Sequence, residues 1–174
     1  LPRAQGRLTL NPMSHIDLFG TVILPLILIV FTGFAFGYAK PVQFRPERFR
    51  NPGRDTALVA MAGPAANLVI LVVALLAAAI VSRVVGGVGG MEPFLWSFLY
   101  AAIMLNFILI VLNLIPVPPL DGHYVLDLFL PENARKVMQS IGPFGILIAL
   151  IVAKPLFDFT IPKFRILVEG IVGA

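Results

Sequence analysis

The chain has 174 residues, 59% of them hydrophobic and 13% charged, with a mean hydropathy of +0.95; a water-soluble domain, at about 45–50% apolar and 25% charged, does not carry so much apolar surface. Its formal net charge is +4, but the basic residues cluster between apolar runs as positive-inside topology requires, which argues against nucleic acid and for lipid as the partner. There are no cysteines, which excludes disulfides and thiolate ligands and leaves His, Asp or Glu to hold any metal.

In chain order, Leu1-Pro2-Arg3-Ala4-Gln5-Gly6-Arg7 has neither an initiator Met nor a signal-peptide layout and reads as the middle of a longer chain. Residues 7–10 alternate Arg-Leu-Thr-Leu, and residues 41–44 do likewise; both read as short strands. Residues 18–39 carry no charge but are interrupted by Pro25, Gly33 and Gly37. They either cross the bilayer or enter and return, which is tolerated where protein covers the broken backbone. Lys40, Arg45, Arg48, Arg50 and Arg54 then form the strongest basic cluster, assigned to the cytosol. A docking site for anionic lipid or a substrate tail is the alternative use of that cluster.

Residues 56–82 form an uncharged run long enough for a transmembrane helix, which needs about 20 apolar residues. A glycine-rich loop follows, with Arg83 and Glu92 as its charges, as an external loop has. Residues 94–115 return to the cytosolic side, with Trp96 and Tyr100 reading as interfacial aromatics. Arg135 and Lys136 agree with that side for the next connection. A fourth apolar run precedes Lys154 and reaches spanning length if it starts at Val137. The tail from Ile161 reads as an amphipathic segment resting at the interface. The expected fold is one all-α polytopic membrane domain over residues 1–174. It has three to four transmembrane helices, the spanning or re-entrant segment, and short β-strands near the active-site face.

The segment with the most chemistry is Asn113-Leu114-Ile115-Pro116-Val117-Pro118-Pro119-Leu120-Asp121-Gly122. Three prolines in four residues end the preceding helix, and the chain after Ile115 is expected to be extended. Asp121 then opens a helical or turned segment. An acid at the edge of the apolar layer is costly to bury uncompensated, so it is a functional candidate. The competing use is an N-cap; the proline run and the adjacent Gly122, which permits close backbone approach, favour function.

That string resembles the Leu-Asp-Gly motif of site-2 proteases, in which the aspartate is a zinc ligand. Gly6-Arg7-Leu8-Thr9-Leu10-Asn11-Pro12 with His15-Ile16-Asp17 and Gly20-Thr21 is similar to a segment of a bacterial and archaeal subgroup. Gly37-Tyr38-Ala39-Lys40-Pro41-Val42, Arg48-Phe49-Arg50-Asn51-Pro52 with Asp55, and Ala62-Gly63-Pro64-Ala65-Ala66-Asn67 are similar to it too. The resemblance covers roughly residues 6–122. It implies an intramembrane zinc metalloprotease that cleaves membrane-spanning or membrane-associated proteins, embedded in a bacterial or archaeal cell membrane with its site toward the cytosol. Asp121 and two histidines would hold Zn²⁺ with one open position, and the Glu of His-Glu-x-x-His would be the general base.

The sequence has no His-Glu-x-x-His; its histidines are His15 and His123. The expectation is that the general base and two His ligands precede Leu1 in a longer chain. A naturally inactive relative, serving as a scaffold that binds transmembrane helices, is the alternative. A small transporter would also place an acid among broken helices, but no inverted repeat is evident. His15 reads as a locally bonded polar residue near the site, and His123 as either an orienting neighbour of Asp121 or a plain interfacial histidine. Asn67, an amide in an apolar span, either joins helices or contacts the substrate or an oxyanion; the resemblance favours the second. Gly63 with Ala60, Ala62, Ala65 and Ala66 suits close helix packing.

Overall fold

The computed structural model describes residues 50–141 and 144–173. The strands expected at residues 7–10 and 41–44, the segment at 18–39 and His15 lie outside the described residues.

The first helix, α1 (Pro52–Val85), starts where the sequence supplies the signals for it. Pro52 occupies the first turn, where a missing N–H costs nothing, and Asp55 accepts from the Asn51 amide at 3.3 Å. The helix ends at Gly86, whose φ of 81° lies in the left-handed region that glycine enters freely, and the Gly87 amide donates to the Ser82 carbonyl at 2.8 Å. At about 1.5 Å per residue, its 34 residues run for about 51 Å, longer than the hydrocarbon layer. Buried Ala57, Ala60, Pro64, Leu71, Ala74, Ala78 and Ser82 recur every three or four residues, or every seven across the gap at 67. That is one helical face made of small side chains, on which other helices approach closely.

A 3₁₀ turn (Val88–Gly90) leads to α2 (Pro93–Asn113), capped by the Glu92 carboxylate, which accepts from the Leu95 amide at 2.8 Å. Helix α2 turns Leu99, Ile103 and Asn106 inward. Asn106 meets its need for a partner within its own helix, Nδ2 donating to the Ala102 carbonyl at 2.8 Å. Two short helices follow, α3 (Gly122–Leu126) and α4 (Glu132–Ile141), and then α5 (Gly145–Val172). Arg135 ties α4 to the end of α3, its guanidinium donating to the Asp127 carbonyl at 2.7 Å and that of Leu130 at 3.2 Å.

Three of these helices, α1, α2 and α5, are long and apolar enough to cross a membrane, and the chain is a helical membrane protein; no strand occurs among the described residues. The last span differs from its sequence expectation. It starts at Gly145 rather than Val137, which belongs to the separate α4 and is exposed. Nor is the tail a separate segment: α5 runs unbroken through Lys154, Pro155 and Pro162 to Val172. Its charges pair along the helix, Lys154 with Asp158 at 2.8 Å and Arg165 with Glu169 at 2.7 Å, so they do not force it to end.

The core gathers at one end of the three long helices. Ala74 and Ala78 of α1, Leu99 and Ile103 of α2, Val168 and Val172 of α5 and Met91 of the turn form one buried cluster. Phe107 of α2 and Phe164 of α5 stack at 3.8 Å beside it. The buried Ser82 hydroxyl donates to the Val172 carbonyl at 2.6 Å, binding the end of α5 to α1. That carbonyl has no partner in its own helix, being in the last turn.

Candidate functional site

The other end of the core is where the sequence put its chemistry. After α2 the chain is not extended. The Val117 amide donates to the Ile115 carbonyl at 2.8 Å and that of Leu120 to the Val117 carbonyl at 3.0 Å. Proline restricts the residues before it, but Val117 and Leu120 keep their own N–H groups and use them to close successive turns. These turns deliver Asp121 directly to the start of α3.

Asp121 stands at the N-cap position of α3 without capping it: its side chain makes no cap hydrogen bond. Instead Oδ2 faces α1 across Gly63, where a β-carbon would lie 3.2 Å from it. Gly63 thus leaves room beside the carboxylate that any other residue would reduce. Asn67 lies one turn further along α1, on the same side of the helix. It also fills the gap in the buried stripe between Pro64 and Leu71, and it is half-buried. The sequence-derived pair Gly63 and Asn67 therefore sits on the helix that packs against Asp121.

At Gly122 the backbone is approached closely. A β-carbon there would stand 2.5 Å from the Leu114 carbonyl oxygen and 2.8 Å from that of Ile115. Only glycine lets the start of α3 pack this tightly against the end of α2. The proline turns are held from a third side by Gly145, whose β-position is already filled by the Pro118 carbonyl. Three glycines on three elements thus surround the turn that carries Asp121.

His123 is buried beside it. Its Nδ1 lies 2.5 Å from the Leu120 carbonyl; since a carbonyl only accepts, Nδ1 carries the proton and Nε2 is the free acceptor in the neutral ring. The imidazole lies 3.8 Å from the ring of Tyr124. Burial pushes the Asp121 carboxyl above the usual carboxylate range, and His123 draws it partly back. Burial raises the Tyr124 phenol as well, reinforced by Asp121 and Asp127. Tyr124 and Gly145 escaped the sequence reading, since neither stands in a string that signals chemistry. Asn106 escaped it also: it lies in a run that reads as wholly apolar.

Among the described residues no three His, Cys, Asp or Glu side chains gather closely enough to hold a metal ion. One carboxylate does fit the role of a ligand. The Asp121 carboxylate has no hydrogen bond or ion pair to another described residue, its burial favours a compensating cation, and Gly63 leaves space next to Oδ2.

Residues 84–153, which include the Asp121 turn, match peptidase family M50. Over 155 residues the chain is 33% identical to "Putative zinc metalloprotease YwhC" of Bacillus subtilis, covering 86% of this chain and 65% of that protein. It is 30% identical over 156 residues to "Putative zinc metalloprotease Rip2" of Mycolicibacterium smegmatis, covering 84% of this chain and 53% of that protein. The protein of the same name from Mycobacterium tuberculosis is 26% identical over 147 residues, with the same coverage of 84% and 53%. The chain thus spans between about half and 65% of the length of these relatives. No solved structure matches it.

Proposed function

We propose that this chain, whose residues 84–153 match peptidase family M50, belongs with the site-2 proteases and forms most of the membrane core of an intramembrane zinc metalloprotease. Its substrates are membrane-spanning or membrane-associated proteins. The observation that carries the reading is the Asp121 carboxylate: partly buried, bonded to no described residue, and set against the one glycine of α1 that leaves space beside it.

In this reading Asp121 is one ligand of zinc, which supplies Lewis acidity to a peptide carbonyl and to water. The two histidine ligands and the glutamate base are not in this sequence, which has no His-Glu-x-x-His. Gly63 keeps α1 clear of the carboxylate. Asn67, one turn along, donates to the substrate backbone or to the oxygen on which charge develops. The hydrogen bond from His123 Nδ1 to Leu120 stiffens the turn on which Asp121 stands.

The cytosolic orientation rests on charge. Gly53, at the start of α1, packs against Leu128, where a β-carbon would lie 3.4 Å from its side chain. Arg50, Arg54, Arg135 and Lys136 therefore share the end of the molecule that carries the Asp121 turn, and the positive-inside rule assigns such an end to the cytosol.

The test is made on the full-length gene product in liposomes, with a membrane-spanning model substrate. Asp121→Ala is expected to insert normally, to drop from about one zinc per chain to background, and to lose cleavage. Asn67→Ala is expected to keep its zinc and lose about 10²-fold in kcat. Normal zinc content and turnover in Asp121→Ala would refute the assignment. A wild-type protein that inserts, binds transmembrane helices and cleaves nothing would establish the scaffold instead.

A further inference from the structure

At the opposite end of the helices lies a pocket of about 350 Å³, lined by Val88, Trp96, Tyr100, Arg165 and Glu169. Its position follows from the helix ends. Trp96 and Tyr100 lie in the first two turns of α2, Arg165 and Glu169 in the last two of α5, and the 3₁₀ turn bearing Val88 joins α1 to α2. In a membrane protein that depth is the boundary between acyl chains and headgroups, where tryptophan and tyrosine concentrate. Tyr100 is thirteen residues before the end of α2 at Asn113, about 20 Å along the helix, so this pocket is not part of the Asp121 site.

The lining carries both signs of charge and two aromatic rings. Arg165 Nε donates to Glu169 Oε1 at 2.7 Å. Both terminal nitrogens of the guanidinium have no partner among the described residues, and they form the fork that fits two oxygens of a phosphate. Trp96 and Tyr100 are tilted at 44° with centroids 5.4 Å apart. Their faces, with the Glu169 carboxylate, make a surface for an ammonium group. Leu95, Phe98 and Ile166 flank these residues and are exposed, as side chains touching acyl chains are.

We infer that this pocket binds the headgroup of a zwitterionic phospholipid, its phosphate on Arg165 and its ammonium between Trp96, Tyr100 and Glu169. A purely anionic headgroup satisfies the arginine but leaves the aromatic faces and Glu169 without their cation. The bound lipid bridges α2 and α5 where the two helices end.

The experiment titrates the whole chain, stripped of lipid in detergent, with phosphatidylcholine, phosphatidylethanolamine and phosphatidylglycerol of identical acyl chains. Retained lipid is counted by native mass spectrometry. Trp96, the sole tryptophan of the chain, reports the same binding by fluorescence. One molecule of either zwitterionic lipid is expected to bind about tenfold more tightly than phosphatidylglycerol, and Arg165→Gln is expected to remove about tenfold of that affinity. Trp96→Leu, which keeps an apolar side chain at the site, is expected to reduce the preference for the zwitterionic lipids. Free phosphocholine is expected to compete weakly, lacking acyl chains; competition equal to the lipid would overturn the lipid as the source. Equal retention of the three lipids, or unchanged binding by Arg165→Gln, would overturn the site.

Discussion

The two ends of the helical core are built from opposite materials. At the Ser82 end, small and branched apolar side chains from three helices close on one another, and Ile103 and Val168 are wholly buried. A buried polar group at that end, the Ser82 hydroxyl, is fixed on a carbonyl. At the Asp121 end the chain is broken by prolines, the contacts are glycine to backbone, and a carboxylate has no bonded partner among the described residues. The first end contributes packing, which in lipid is the main source of helix association. The second holds a group that packing alone would disfavour.

Substitutions at the two ends should therefore separate cleanly. Gly122→Ala is expected to have the largest effect. Its new methyl group meets two carbonyl oxygens, so the turn must shift, and a displacement of about 1 Å at a catalytic group costs about 10²-fold in rate. Activity should fall at least that far while the thermal midpoint of the helical core changes little; an active Gly122→Ala protein would break the comparison. Ile103→Ala is expected to act the other way. The lost contacts and the cavity cost about 2 kcal/mol, visible as a lower unfolding midpoint in detergent with kcat nearly unchanged below it. Ser82→Ala is the mildest, removing one buried hydrogen bond for about 1 kcal/mol. A change in zinc affinity in either of the last two would show that the ends are coupled.

How much of this was legible beforehand depended on the kind of signal. Spans α1 and α2 were readable because uncharged runs of that length have few alternatives to a membrane helix. Span α5 was misjudged at both ends, since its charges read as a boundary. They became compatible with a continuous helix only through pairing four residues apart, a geometry that charge counting along the chain does not weigh. Asp121 and Gly122 were singled out by the proline run and the family resemblance together. The opposition of Gly63 to Asp121 was not, because residues 58 apart in sequence meet only through helix packing. The turns at residues 115–120 were misread as extended, because the rule applied describes the residue before a proline and says nothing of the amides left free between prolines.

The central claim is that Asp121 coordinates zinc, and the absence of cysteine from this chain offers a direct spectroscopic test of it. The measurement is zinc K-edge X-ray absorption on the full-length protein carrying Asp121→Cys, in a background cleared of any other cysteine. A zinc–sulfur shell at about 2.3 Å is predicted, where the parent protein shows nitrogen and oxygen ligands alone. A spectrum of zinc-loaded Asp121→Cys protein without that sulfur shell would contradict the account.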